Sequence, residues 1–233
     1  MKYRKIVKGT FLSRPNRFIS HVLIDGAEHI AHVKNTGRCK ELLIPGVTVY
    51  LYESDSESRK TKYDLVAVEK PRDGKQTLLI NMDSQAPNDV AMELLSSGAI
   101  FDGITNIKRE FTIGKSRFDF RIEQGDKITF LEVKGCTLEH DGIARFPDAP
   151  TERGVKHIEE LTELCKQGFG AALLIIIQMK EITEFRPNDE THAEFGEALR
   201  RANKAGVEIF AYDCIVTPDS LAFDAPVRVN LDP

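Results

Sequence analysis

Six short β-rich runs fall within the first 85 residues, at 3–12, 18–24, 29–33, 47–53, 63–69 and 78–82. Turn signals separate them: Arg14-Pro15-Asn16, Asp25-Gly26, Asn35-Thr36-Gly37, Pro45-Gly46 and Asp73-Gly74. Strand-forming residues punctuated by such dipeptides read as strands and reverse turns. Only a short helical turn at 39–43 interrupts. Five or six strands in so short a stretch are the size of a small closed barrel of the OB type.

The pattern changes after residue 85. Pro87-Asn88 opens a helix over 89–97, and Gly98 ends it. Strands are expected at 107–113, 117–122 and 128–134, joined by Gly114-Lys115 and Gly125-Asp126 as an antiparallel meander. A helix follows over 154–166, with Val155, Ile158, Leu161 and Cys165 along one face. The run 171–178 is apolar almost throughout, as befits a strand covered on both faces. A last helix at 190–205 leads to a strand at 207–212. The order α-β-β-β-α-β with an αβ extension predicts a mixed α/β chain ending in a three-layer α/β sandwich. The expected domains are 1–85 and 86–233.

Charge divides along the same line. Residues 1–85 hold 15 Lys and Arg against 10 Asp and Glu, and residues 86–233 hold 17 against 26, so the net −4 splits into +5 and −9. A basic half joined to an acidic half suits a nucleic-acid partner better than the overall charge does. Hydrophobic residues at 41% are enough for a sizeable core. The basic start lacks an apolar leader, and the longest apolar run, 171–177, is too short to span a bilayer. Cys39, Cys136, Cys165 and Cys214 make no paired motif, which argues against structural zinc and fits a reducing cytoplasm. No membrane partner is expected.

The chemistry is expected on two neighbouring strands. In Ile128-Thr-Phe-Leu-Glu-Val-Lys134, alternation puts Ile128, Phe130, Glu132 and Lys134 on one face. In Arg117-Phe-Asp-Phe-Arg121, Asp119 shares a face with both arginines, and Phe118 and Phe120 are expected to pack together behind. Pairing brings Asp119 beside Glu132 and Lys134. Two carboxylates suit a Mg²⁺ or Mn²⁺ ion that keeps waters and takes its remaining ligands from a phosphate. Lys134 would orient water or phosphate. The loop that follows, Phe146-Pro-Asp-Ala-Pro-Thr-Glu-Arg-Gly154, offers Thr151 as a helix cap, with Arg153 and His157 as phosphate contacts. On the barrel, Tyr50 and Tyr52 face away from the Val47, Val49 and Leu51 side and are candidates for base stacking. Arg14, Arg17, Lys34, Arg38 and Lys40 border that surface, and Arg59, Lys60 and Lys62 form a second basic loop.

Several stretches carry a family resemblance: Arg14-Pro-Asn-Arg-Phe18, His32-Val-Lys-Asn-Thr-Gly-Arg38 with Glu41-Leu-Leu-Ile-Pro-Gly46, Ser116-Arg-Phe-Asp-Phe120, Glu132-Val-Lys-Gly135, and the 146–154 run with His157. With them, nearly the whole chain resembles the sugar fermentation stimulation protein family. The resemblance implies an N-terminal OB-fold and a C-terminal α/β/α domain similar to restriction-endonuclease-like PD-(D/E)xK nucleases. It also implies DNA binding and a role linked to the regulation of sugar (maltose) metabolism. By position it assigns Asp119, Glu132 and Lys134 to the nuclease triad, with Glu93 or Glu110 as an additional acid. Three readings follow: a Mg²⁺-dependent nuclease, a catalytically silent DNA-binding regulator, and a sugar-binding module. The third ranks last, because the chain has no Trp.

Overall fold

The computed structural model of the protein describes every residue except Thr36, Glu57, Ser58 and Lys115. The Asn35-Thr36-Gly37 and Gly114-Lys115 turns therefore lie partly outside the described residues.

Strands β1 (Ile6–Asn16), β2 (Ile19–Ile24), β3 (Ala27–Val33), β4 (Thr48–Glu53) and β5 (Tyr63–Lys70) form the barrel, with β6 (Leu78–Asn81) added beside β5. Antiparallel pairs run β3-β2-β1-β4-β5, and a parallel β3–β5 pairing closes the ring. Alternation dictates its inside: Val49 and Leu51 of β4 and Leu65 of β5 are fully buried. Between β3 and β4 a single turn forms, with the N–H groups of Leu42 and Leu43 donating to Cys39 O at 3.2 and 2.9 Å.

Helix α1 (Ala86–Ser96) then leads into β7 (Asn106–Ile113), β8 (Ser116–Gln124) and β9 (Lys127–Cys136). After α2 (Glu152–Lys166), β12 (Gly170–Ile177) runs parallel to β9; after α3 (Asp189–Lys204), β14 (Glu208–Thr217) runs parallel to β12. With β15 (Ser220–Pro226), the second sheet has the order β15-β14-β12-β9-β8-β7. Helix α1 packs on one face through Val90 and Leu94; α2 and α3 pack on the other through Ile158, Leu161 and Leu199. Central β12 is buried on both faces, as its unbroken apolar run requires.

A third, small sheet was not legible in the sequence. It contains β10 (Leu138–His140), β11 (Ile143–Phe146), β13 (Glu184–Pro187) and β16 (Arg228–Val229). These strands are too short to show periodicity. Asp141-Gly142, both at positive φ, is nonetheless a hairpin turn pair.

One expectation is corrected. Phe118 and Phe120 do not pack together behind β8: Phe118 joins the core under α2 and α3, and Phe120 joins the core under α1. Alternation breaks at Asp119, between them. The β8–β9 ladder ends at Phe120↔Leu131, and on β7 Glu110 takes a left-handed φ of 52° between the partners of Phe118 and Phe120.

Candidate nuclease-like site at an interdomain cleft

Barrel and sandwich meet along a cleft of about 1140 Å³. Its lining carries six cations (Arg14, Arg17, Arg38, Lys40, Lys134 and Arg153) against three acids, Asp119, Glu132 and Asp148. The cleft is thus basic although the chain is not.

The kink in β8 and the inward face of β9 build its floor. Where the ladder stops, Asp119 takes over: its Oδ2 accepts the Val133 N–H at 2.8 Å and its Oδ1 accepts Asn88 Nδ2 at 2.9 Å. Asn88 lies in the first turn of α1, so that helix fixes the carboxylate's orientation. Glu132 is 3% exposed. Its Oε1 accepts from Lys134 Nζ at 2.5 Å and from His157 Nδ1. Its Oε2 is buried and has no hydrogen-bond partner. His157 reaches Glu132 because Thr151 caps α2, its side chain accepting the Gly154 N–H at 3.0 Å. Arg153 Nε donates to His157 Nε2 at 3.4 Å, which leaves the imidazole hydrogen on Nδ1, facing Glu132.

The two carboxyls titrate in opposite senses. Burial, and after it the charge of Glu132, pushes Asp119 above its ordinary value, against the Val133 and Asn88 bonds. Burial also acts to raise Glu132, but His157 and Lys134 outweigh it and hold the group below its ordinary value. A buried anion with one bare oxygen, next to a carboxyl it repels, is a setting that a cation would complete. Among the described residues no three His, Cys, Asp or Glu side chains gather as a metal cage. The pair therefore suits a hard divalent ion that retains water and phosphate ligands.

The other expected site residues divide. Arg17, Arg38 and Lys40 are exposed along the cleft. Arg14 lines it too, but its guanidinium is committed: NH1 donates to the carbonyls of Gly37 and Arg38, and NH2 to those of Arg17 and Asn35. It straps the basic loops in place instead of reaching outward. His157 is likewise engaged, by Glu132 on Nδ1 and Arg153 on Nε2. Tyr50 and Tyr52 do not join the cleft: the Tyr50 hydroxyl donates to Glu69 at 2.6 Å, and the Tyr52 ring packs 6.3 Å from that of Tyr3. Lys34 binds Asp83 and Asp64. Glu93 holds the chain's first ammonium group at 2.7 Å, and Glu110 is exposed; neither completes the pair.

Sequence reasoning missed Asn88 and Gln178. Gln178 is the polar residue that follows directly on the apolar run of β12, which was the available signal. It donates to Asn81 Oδ1 at 2.9 Å and to Asp83 O at 3.1 Å, joining the sandwich to the barrel side. Gly37 approaches Asp148 closely: a Cβ there would lie 2.2 Å from Asp148 Oδ2, so that side chain would have to shift.

An OB-type barrel set against a three-layer α/β/α sandwich, with two acids and a lysine at their junction, defines a class of two-part mixed α/β proteins. Within that class, residues 12–79 match the SfsA N-terminal OB domain and residues 85–220 the sugar fermentation stimulation protein RE domain. A sugar fermentation stimulation protein homolog of Desulfitobacterium hafniense is 57% identical over 99% of both chains. One from Clostridium beijerinckii is 52% identical over 95% of this chain and 96% of the other. The solved structure of Pyrococcus furiosus SfsA in complex with Ca²⁺ aligns with a TM-score of 0.86 and 29% identity, over 99% of this chain and 98% of that one. The chain belongs to the sugar fermentation stimulation protein family. No helix among the described residues is long and apolar enough to cross a membrane.

Proposed function

We propose that this protein binds DNA in the interdomain cleft and cleaves its phosphodiester backbone, with a divalent cation, Mg²⁺ or Mn²⁺, held by Asp119 and Glu132. The barrel half, 1–85, would hold the strand and the half 86–233 would cut it. One observation carries this reading: a buried carboxylate oxygen without a partner, Glu132 Oε2, at the floor of a cleft whose walls are basic. When bound, the cation would lower the pKa of an attacking water and neutralise charge on the phosphate.

The chain's own residues do the rest. Asn88 and the Val133 N–H orient Asp119. His157 pins Oε1 of Glu132 and so fixes where Oε2 points. Lys134 donates to the same Glu132 oxygen and lines the cleft, where its ammonium would also reach a bound phosphate. Arg17, Arg38 and Lys40 neutralise flanking phosphates, so affinity should fall steeply as salt rises. A flat salt response would remove the electrostatic part of the reading.

The pairing of Lys134 with Glu132 also favours a second reading, a DNA-binding regulator without hydrolytic activity. A cleavage assay on single-stranded, duplex and branched DNA with Mg²⁺ or Mn²⁺ separates the two. Metal-dependent cutting that disappears in Lys134→Ala selects the nuclease. Binding without cutting selects the regulator.

A further inference from the structure

The basic wall of the cleft is a rigid hairpin with an aromatic tip. Between β1 and β2, Asn16 Oδ1 accepts the N–H groups of Phe18 and Ile19 at 2.9 and 3.1 Å, and Arg14 holds the Arg17 carbonyl at 2.7 Å. The tip is thus held from both sides. It carries Phe18, 49% exposed, with the Arg17 guanidinium 5.9 Å from the ring centroid. From this tip the outer face of β2 and β3 continues with Leu23 and Ile30, both exposed. Single exposed apolar residues are ordinary on a protein surface. Here, however, the backbone that carries the ring is held by dedicated hydrogen bonds, and the ring adjoins a phosphate-complementary wall in the loop between the first two barrel strands. That loop and the face of strands 2 and 3 are where OB barrels receive oligonucleotides.

The floor sets a second requirement. Glu132 Oε2 has essentially no solvent-exposed surface, so a phosphodiester must descend between barrel and sandwich to approach it. The walls do not part freely: Asn81 N–H donates to Gln178 O at 3.0 Å, and Gln178 Nε2 returns a bond to Asn81 Oδ1 at 2.9 Å. A cleft of about 1140 Å³ is little larger than a small-molecule pocket. A duplex is stiff and carries its second strand alongside each phosphate. An unpaired strand can bend into the cleft and turn a base outward onto an aromatic platform.

We infer that the cleft receives single-stranded DNA and that Phe18 is the ring on which a base of the entering strand stacks. This rests on the DNA reading above and names its substrate class. Leu23 and Ile30 extend the track along the barrel.

The test is fluorescence anisotropy with a labelled single-stranded oligonucleotide, the same sequence as a blunt duplex, and an abasic strand of equal length. Ca²⁺ replaces Mg²⁺ to prevent cutting. The single strand should bind at least tenfold more tightly than the duplex. Phe18→Ala should weaken single-strand binding about tenfold, the typical loss for one stacked base, and Phe18→Tyr should restore it. On the abasic strand Phe18→Ala should change nothing, which separates stacking from a structural effect; unchanged circular dichroism confirms the fold. Equal or tighter duplex binding, or an unaffected Phe18→Ala, overturns this inference and leaves DNA binding standing. No binding to either form overturns both.

Discussion

The barrel and the cleft each bury an acid, and they treat it differently. Asp64, on β5 of the barrel, is 1% exposed and fully partnered: Arg59 donates to both oxygens, His32 Nδ1 lies 3.3 Å from Oδ1, and Lys34 Nζ lies 3.5 Å from Oδ2. Burial acts to raise its carboxyl, but the Arg59 hydrogen bonds and the Lys34 charge outweigh it, and the group is held below its ordinary value. Glu132 is as deeply buried, yet both of its donors share one oxygen and the other is bare. An acid kept for architecture has its lone pairs satisfied by the protein. On the function proposed above, Glu132 leaves one for a cation.

This contrast yields four tests, in decreasing order of effect. Asp119→Ala should reduce metal-dependent cleavage at least about 10³-fold, the several kcal/mol a bound cation supplies, and should abolish Mn²⁺ binding by calorimetry. Unchanged metal affinity would show that the site lies elsewhere. Asp64→Asn should destabilise the fold by about 3 kcal/mol in urea titration, because it strands cations beside a buried amide. Its pH signature has a definite sign. A carboxyl lowered on folding contributes stability above its unfolded value, about 3.9, and loses it as pH falls toward the folded value. Wild type should therefore weaken on acidification through that window more than Asp64→Asn does; parallel curves would contradict the ion cluster.

The third test reverses the comparison. Saturating metal, at about 100 times its Kd, should stabilise wild type by about 2.7 kcal/mol in thermal melts. Glu132→Gln should lose that gain while costing less metal-free stability than Asp64→Asn does, because only one of the two Glu132 oxygens is bonded by the protein. Strong destabilisation of metal-free Glu132→Gln would make Glu132 an architectural acid like Asp64. The smallest effect is expected for Thr151→Ala, about 1 kcal/mol from the lost cap of α2. Metal affinity should drop with it, since α2 carries the His157 that pins Glu132.

Much of this was legible in the residues. Turn dipeptides and alternation locate the barrel strands, and the apolar 171–178 run identifies the central strand of the sandwich. The placing of Glu132 and Lys134 on one face follows from period-2 alternation, and the nearness of Asp119 follows from strand adjacency. The rest depended on tertiary context. Nothing local reveals that the guanidinium of Arg14 would bond four carbonyls of its neighbouring loops, or that His157 would turn to the Glu132 carboxylate. The tyrosines of β4 were correctly read as facing away from the barrel core, but alternation does not say which neighbour covers an outer face. The kink at Asp119 defeated the simple face assignment of Phe118 and Phe120, because alternation presumes an unbroken strand.

The bonds among Gln178, Asn81, Asp83 and Tyr3 have a practical consequence for dissecting the protein. The Tyr3 hydroxyl accepts from Asn81 at 3.1 Å and donates to Asp83, so groups from the start of the chain, the end of β6 and the residue just past β12 form one buried circuit. Expressing either half alone would open that circuit and leave its amides and carboxylate facing solvent or an apolar wall. Truncation mapping, the customary way to assign binding to one module and cutting to another, would then report on damaged fragments. Division of labour in this molecule is better resolved by point substitutions in the intact chain.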